Sequence, residues 1–110
     1  MNALSQDQML FHIREMELDD LDQVQTIDQL SFTMPWPKSA FRYELLENPR
    51  SLLWVAEVEL PTGQRLVVGA IVVWFILDEA HIATLSVHPE YRQRGIGRKL
   101  LARALLEAMK

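Results

Sequence analysis

Apolar residues recur along this chain with two periods, and the switches between them mark out its elements. Leu10-Phe11-His12-Ile13-Arg14 alternates and predicts a first strand. From Leu18 the spacing lengthens. Leu18, Leu21, Val24, Ile27, Asp28 and Phe32 follow helical spacing, with Asp19, Asp20 and Asp22 in the first turn, where a helix dipole favours negative charge. Pro35-Trp36-Pro37 breaks that helix. Ser39 to Leu46 predicts a short second helix, stopped before Asn48-Pro49 because a residue preceding proline is pushed out of helical geometry.

Leu52 to Leu60 then reads as a strand, Pro61-Thr62-Gly63-Gln64 as a turn, and Arg65 to Leu77 as the returning strand. The last of these is the most apolar, so it is expected at the centre of the sheet. Asp78-Glu79 turns into a further strand, His81 to Val87. The final helix starts near Gly97, with Leu100, Leu101, Ala104, Leu105, Ala108 and Met109 as its apolar stripe. Lys99, Arg103 and Glu107 lie on the opposite side, Arg103 and Glu107 as an i, i+4 pair. The order is β-α-α-β-β-β-α, an α/β (α+β) arrangement.

At 110 residues the chain supports one domain, residues 1–110, with the polar segment 1–8 expected to be flexible. A net charge of −4 argues against general nucleic-acid binding, which needs a basic face. Yet Arg92, Arg94, Arg98, Lys99 and Arg103 cluster within one short stretch, which suits a small polyanionic ligand. The absence of cysteine excludes disulfides, thiolate metal sites and a cysteine nucleophile, and no metal is expected. No signal peptide is visible, and the longest apolar run, Leu66 to Leu77, is too short to span a bilayer. A cytoplasmic protein without a membrane partner is the expectation.

The chemistry concentrates in Val87-His88-Pro89-Glu90-Tyr91-Arg92-Gln93-Arg94-Gly95-Ile96-Gly97-Arg98, where a strand passes through a proline turn and a basic, glycine-bearing loop into a helix. Two small residues let the backbone approach a ligand, and the first N–H groups of a helix have no internal partners. Such a joint favours a phosphate or pyrophosphate, with Arg92, Arg94 and Arg98 adding charge. A P-loop is excluded, because no Gly-Lys-Ser/Thr follows at the required spacing. A Rossmann fingerprint fails because Leu100 stands where its third glycine belongs.

What remains is Arg92-x-x-Gly95-x-Gly97 behind Leu85-Ser86-Val87-His88-Pro89 and Tyr91. This run resembles the acetyl-CoA-binding motif of the GNAT superfamily of N-acetyltransferases. The resemblance implies a mixed, mostly antiparallel sheet flanked by helices, and covers nearly all of this chain but only part of that family's domain. It further implies acetyl-CoA as cofactor, its pyrophosphate held by the backbone of Gln93, Arg94, Gly95, Ile96, Gly97 and Arg98, and its pantetheine amides paired with Leu85, Ser86 and Val87. A main-chain N–H near Leu85 would face the thioester oxygen. Family members continue beyond the corresponding helix with a strand, a fourth helix carrying a tyrosine general acid, and a hairpin, so the chain reads as truncated. A truncated form is expected to dimerise, to swap elements, or to be a fragment of low activity.

Phe32-Thr33-Met34-Pro35-Trp36-Pro37-Lys38-Ser39-Ala40-Phe41, with Leu77-Asp78-Glu79-Ala80, resembles the bacterial ribosomal-protein alanine N-acetyltransferases (RimI type). That implies Trp36 and Phe41 as acceptor-groove residues and a protein or peptide N-terminus as substrate; plain packing under a loop is the alternative for both. Acyl transfer to an amine also needs a base. His81 has a side chain suited to that work near neutrality, and period-two counting puts it on the face of Ala83, Leu85 and Val87. Glu79 is a second choice. His12, His88 and Tyr91 read as structural. Two rival readings keep the cofactor: a small-molecule amine acetyltransferase, and a non-catalytic acetyl-CoA-binding module.

Overall fold

The computed structural model describes residues 10–110; the segment 1–8 expected to be flexible lies outside them. Strand β1 (His12–Glu15) leads through a 3-10 turn at Leu18–Asp20 into α1 (Leu21–Ser31) and α2 (Lys38–Glu47). Strands β2 (Ser51–Glu59), β3 (Arg65–Ile76) and β4 (Glu79–Val87) follow, then a 3-10 turn at Pro89–Tyr91 and helix α3 (Ile96–Ala108). The sheet runs β1-β2-β3-β4 with every pairing antiparallel.

Strand β3 is interior, as its apolar run implies, and Val67 to Val73 are buried whichever way they point. Both faces are covered. On one, Leu53, Val55, Ala70 and Val72 pack against Leu21, Val24, Ile27 and Phe41 of α1 and α2. On the other, Trp54, Ala56, Ile71 and Val73 lie under Ile96, Leu100 and Ala104 of α3. Two covered faces turn period-two alternation into a continuous apolar run.

Several boundaries differ from the sequence reading, each for a local reason. β4 begins at Glu79 rather than His81, because the connection is a two-residue turn with Leu77 and Asp78 at φ 50° and 69°. Positive φ at both positions matches the right-handed twist of a hairpin and extends the pairing to Ile76–Glu79. The stripe of α3 is narrower than predicted: Ile96, Leu100, Ala104 and Ala108 are buried, while Leu105 and Met109 face solvent. Arg103 does not pair with Glu107. Its guanidinium lies 5.0 Å from the Trp54 ring centroid, and Glu107 takes Lys110 Nζ at 3.2 Å.

Gly69 explains how close α3 sits. A Cβ built on it would lie 3.0 Å from Leu100 Cδ1, 3.1 Å from Ile96 Cγ2 and 3.3 Å from the Ser86 carbonyl. Two of those neighbours are core side chains of α3, and the third is backbone. Gly69→Ala is therefore expected to destabilise the fold by about 1–3 kcal/mol, the usual range for overpacking. Urea melts check this; an unchanged midpoint would mean α3 moves away freely.

Candidate active site

β4 is an edge strand among the described residues, and its open side faces the C-terminal end of α1 and the segment 32–37. At the far end of β4, Arg92 acts as a bracket. Its Nε donates to Val87 O at 2.9 Å and its Nη2 to Ser31 Oγ at 3.1 Å, tying the strand end to α1. Arg94 folds back on its own loop, donating to Glu90 O at 3.1 Å with its guanidinium 5.2 Å from the Tyr91 ring centroid. Both side chains thus hold the loop, a more structural use than the added charge expected from sequence. Tyr91 packs edge-on to His88, ring centroids 5.7 Å apart, in keeping with a structural role.

The backbone after Arg92 bends sharply. Gln93 and Gly95 are left-handed, with φ 66° and 82°, and Gly95 caps α3. The first helical hydrogen bond runs from Lys99 N–H to Gly95 O at 3.0 Å. The N–H groups of Ile96, Gly97 and Arg98 precede it and have no helical acceptor. Ile96 has its side chain in the core, Arg98 is exposed on the first turn, and a Cβ on Gly97 would meet nothing closer than Val87 Cγ2 at 3.7 Å.

Two open stretches of groove run along β4 and meet at Phe32 and Leu85. One, of about 350 Å³, is lined by Ser31, Ser86, Val87, Arg92 and Gly97 besides the shared pair. The other, of about 500 Å³, adds Thr33, Met34, Trp36, Ala83 and Thr84. Leu85, Ser86, Val87, Arg92, Gly97 and Trp36 are thereby brought together on one groove.

Phe41 is not part of it. Its side chain is 1% exposed, packed in the α1/α2 core with its ring centroid 5.1 Å from that of Trp36. It supports Trp36 from behind and is out of reach of a substrate, because position 41 falls on the inner face of α2. Residues not named from sequence are Ser31 at the end of α1 and Thr84 on β4, and Ala83 was named only as sharing the face of His81. Phe32, Thr33 and Met34 were legible only as part of a segment.

The face assigned to His81 needs correction. Pairing steps from Val72–Thr84 to Val73–Ile82, so Ala83 is an extra residue in β4. A bulge reverses the alternation on one side of it. His81 consequently sits opposite Trp74 on the α1/α2 face, not with Leu85 and Val87 on the α3 face. Its Nε2 lies 3.1 Å from Glu79 Oε1, and half of its side chain is exposed.

The wall formed by segment 32–36 is held by buried carboxylates. Asp28 Oδ2 accepts the Trp36 backbone N–H at 2.7 Å. The Trp36 ring stacks on Trp74 with centroids 6.5 Å apart, and Trp74 Nε1 donates to Glu44 Oε1 at 2.6 Å. Glu44 Oε1 also accepts from Asn48 Nδ2 at 3.0 Å and from Ser51 Oγ. Burial pushes the Asp28 carboxyl above its ordinary range, against the lowering effect of the Trp36 N–H.

Residues 21–110 match the acetyltransferase (GNAT) family. The chain belongs to that family. Over 93 residues it is 38% identical to a Bacillus subtilis protein assigned as an alanine N-acetyltransferase of ribosomal protein bS18, covering 84% of this chain and 58% of that protein. The structure of Ard1 from Thermoplasma volcanium superposes with a TM-score of 0.76 at 29% identity, covering 90% of this chain and 64% of that one. The ribosomal-protein-alanine N-acetyltransferase of Escherichia coli shares the fold, with a TM-score of 0.73 at 24% identity over 90% of this chain and 59% of that one. This family member thus spans under two thirds of the length of each. No helix among its described residues is long and apolar enough to cross a membrane.

Proposed function

We propose that this chain binds acetyl-CoA along the open edge of β4 and supports acetyl transfer to a primary amine, the α-amino group of a protein N-terminus such as that of a ribosomal protein. The observation that carries the reading is the continuity of the groove. One end is a helix-start cradle at Ser86, Val87, Arg92 and Gly97, and the other an aromatic wall at Phe32 and Trp36. A polyanionic cofactor fits the first end on the chain's own geometry. Packing does not demand glycine at position 97, where a Cβ would have room, so the open space there is available to a ligand. When bound, the cofactor supplies an acetyl group activated as a thioester.

The rest is the protein's work. Unpartnered N–H groups at the start of α3 hold phosphate oxygens without spending side chains. Leu85 lies at the junction of the two groove stretches, where its neighbouring main chain can orient the reacting carbonyl. The apolar residues Phe32 and Trp36 offer the acceptor an apolar wall, against which the neutral amine is favoured over the ammonium. His81 is the proton acceptor of this proposal. It lies on the Trp74 face but does not line the groove, so its reach to an amine is through an ordered water.

Titration calorimetry with acetyl-CoA, followed by acetylation of an alanine-initiated peptide, its α-blocked form and a polyamine, tests the reading. Binding with transfer to the free peptide alone supports it. Transfer to the polyamine would make this a small-molecule enzyme, and binding without transfer a non-catalytic module. His81→Gln is expected to lower kcat by on the order of 100-fold while leaving acetyl-CoA affinity unchanged, as for loss of a general base. An unchanged kcat places the base elsewhere.

A further inference from the structure

Asp28 is a carboxylate where an apolar residue belongs. It follows Leu21, Val24 and Ile27 on the inner stripe of α1, and its side chain is as buried as theirs, at 1% exposure. It makes no ion pair among the described residues, and its Oδ1 is buried without any hydrogen-bond partner. An unpartnered, buried carboxylate oxygen is costly, and a leucine in its place would fill the same core. A polar residue kept at such a position points to a role other than stability.

Its one side-chain hydrogen bond among the described residues shows what that role is. Oδ2 takes the Trp36 N–H at 2.7 Å, and the main-chain carbonyl of the same residue takes the Phe32 N–H at 3.0 Å. Residue 28 therefore ties both ends of the segment that walls the groove. Between the ties, Phe32 is 41% and Met34 88% exposed, so packing alone gives this segment little to hold its shape. We infer that Asp28 is a positioning residue, which pins segment 32–36 from within the core so that Phe32 and Trp36 present a fixed wall to the amine acceptor.

The kinetic consequence rests on the acetyl-transfer reading; the structural one does not. Amide exchange measured by NMR decides the latter. In the native chain the Trp36 amide is expected to be protected, with the Thr33 and Met34 amides exchanging freely. In Asp28→Ala the Trp36 amide should exchange about tenfold faster, the loss expected for one hydrogen bond to a charged group. Asp28→Asn keeps an acceptor oxygen and should restore protection. An unprotected Trp36 amide in the native chain overturns the inference whether or not the variants fold, as does equal protection in native and Asp28→Ala. In steady-state acetylation, the acceptor KM of Asp28→Ala should rise about tenfold, with kcat and acetyl-CoA affinity held and Asp28→Asn close to native. Native turnover with the same acceptor KM in Asp28→Ala would remove the positioning role. Absence of turnover in the native chain would instead remove the transfer reading, and the exchange result would still decide whether Asp28 pins the wall.

Discussion

Replacing Arg14 with alanine is expected to lower stability at neutral pH by about 3 kcal/mol, a large part of the ~5–15 kcal/mol typical of a domain. Arg14 projects from β1 and meets two acids from different parts of the chain. Its Nη1 and Nη2 donate to Asp20 Oδ2 and Oδ1 at 2.8 and 2.9 Å, and Nη2 also donates to Glu57 Oε2 at 2.9 Å. The acids are largely withdrawn from water, with side-chain exposures of 7% and 11%, whereas Arg14 retains 24%. Among the described residues, removing the cation leaves Asp20 with only the Glu17 N–H and Glu57 with only Arg65, 3.8 Å from its Oε1. Both acids are still largely buried, which costs more than losing a surface ion pair. The solvent access of Arg14 puts the expectation at the lower end of the range for fully buried networks.

The pH dependence gives this prediction a second reading. Burial alone would raise the Asp20 carboxyl; the bidentate Arg14 bonds and the Glu17 N–H at 2.7 Å outweigh it, and the carboxyl ends below its usual value of 3.8. A depressed carboxyl contributes stability that is present above its unfolded pKa and is lost as pH falls through its folded one. In Arg14→Ala the Glu17 N–H alone opposes burial, so much of the depression of the Asp20 carboxyl is lost. Urea melts should therefore show the gap between native and variant closing as pH falls below about 4, through the folded pKa of the native Asp20. A gap under about 1 kcal/mol at neutral pH would reduce the network to a solvated surface pair.

What could be read without coordinates follows from which interactions are local. Helix and strand periods are local, and they placed β3 in the interior and α2 and α3 within a residue or two; α1 starts three residues later than its spacing implied, because Leu18–Asp20 forms a 3-10 turn. The strand–loop–helix joint was legible because proline and glycine mark bends in the backbone, and Gly95 takes the positive φ that a glycine before a helix announces. The face of His81 was not legible. One extra residue at Ala83 inverts the strand beyond it, and a bulge is a property of pairing with β3, invisible in β4 alone. The turn at Leu77-Asp78 escaped for a related reason, since leucine seldom adopts a positive φ and here does so under the pull of the hairpin. Asp28 stands in the helical stripe of the sequence, but only its partner, eight positions away in a loop, shows what it holds.

Gly97→Asp should abolish measurable acetyl-CoA binding, weakening it by at least about 100-fold, because a like charge set against a polyphosphate costs several kcal/mol. The substitution is a clean probe because the fold has room for it. The nearest heavy atom to a Cβ at this position is Val87 Cγ2 at 3.7 Å, an ordinary contact. Position 97 is the second residue of α3, where an acid is favoured by the dipole and glycine is a poor helix former. The variant should therefore melt at or slightly above the native temperature while losing its ligand, a divergence that unfolding cannot imitate. Gly95 offers no such separation, since its φ of 82° makes any side chain a strain on the helix cap itself. Gly97→Ala completes the test: a methyl group fills the space without charge and should cost less than the carboxylate. Native-like binding by Gly97→Asp would show that the start of α3 is not where the phosphates lie. Equal losses for alanine and aspartate would mean that close backbone approach, rather than charge, governs the cradle.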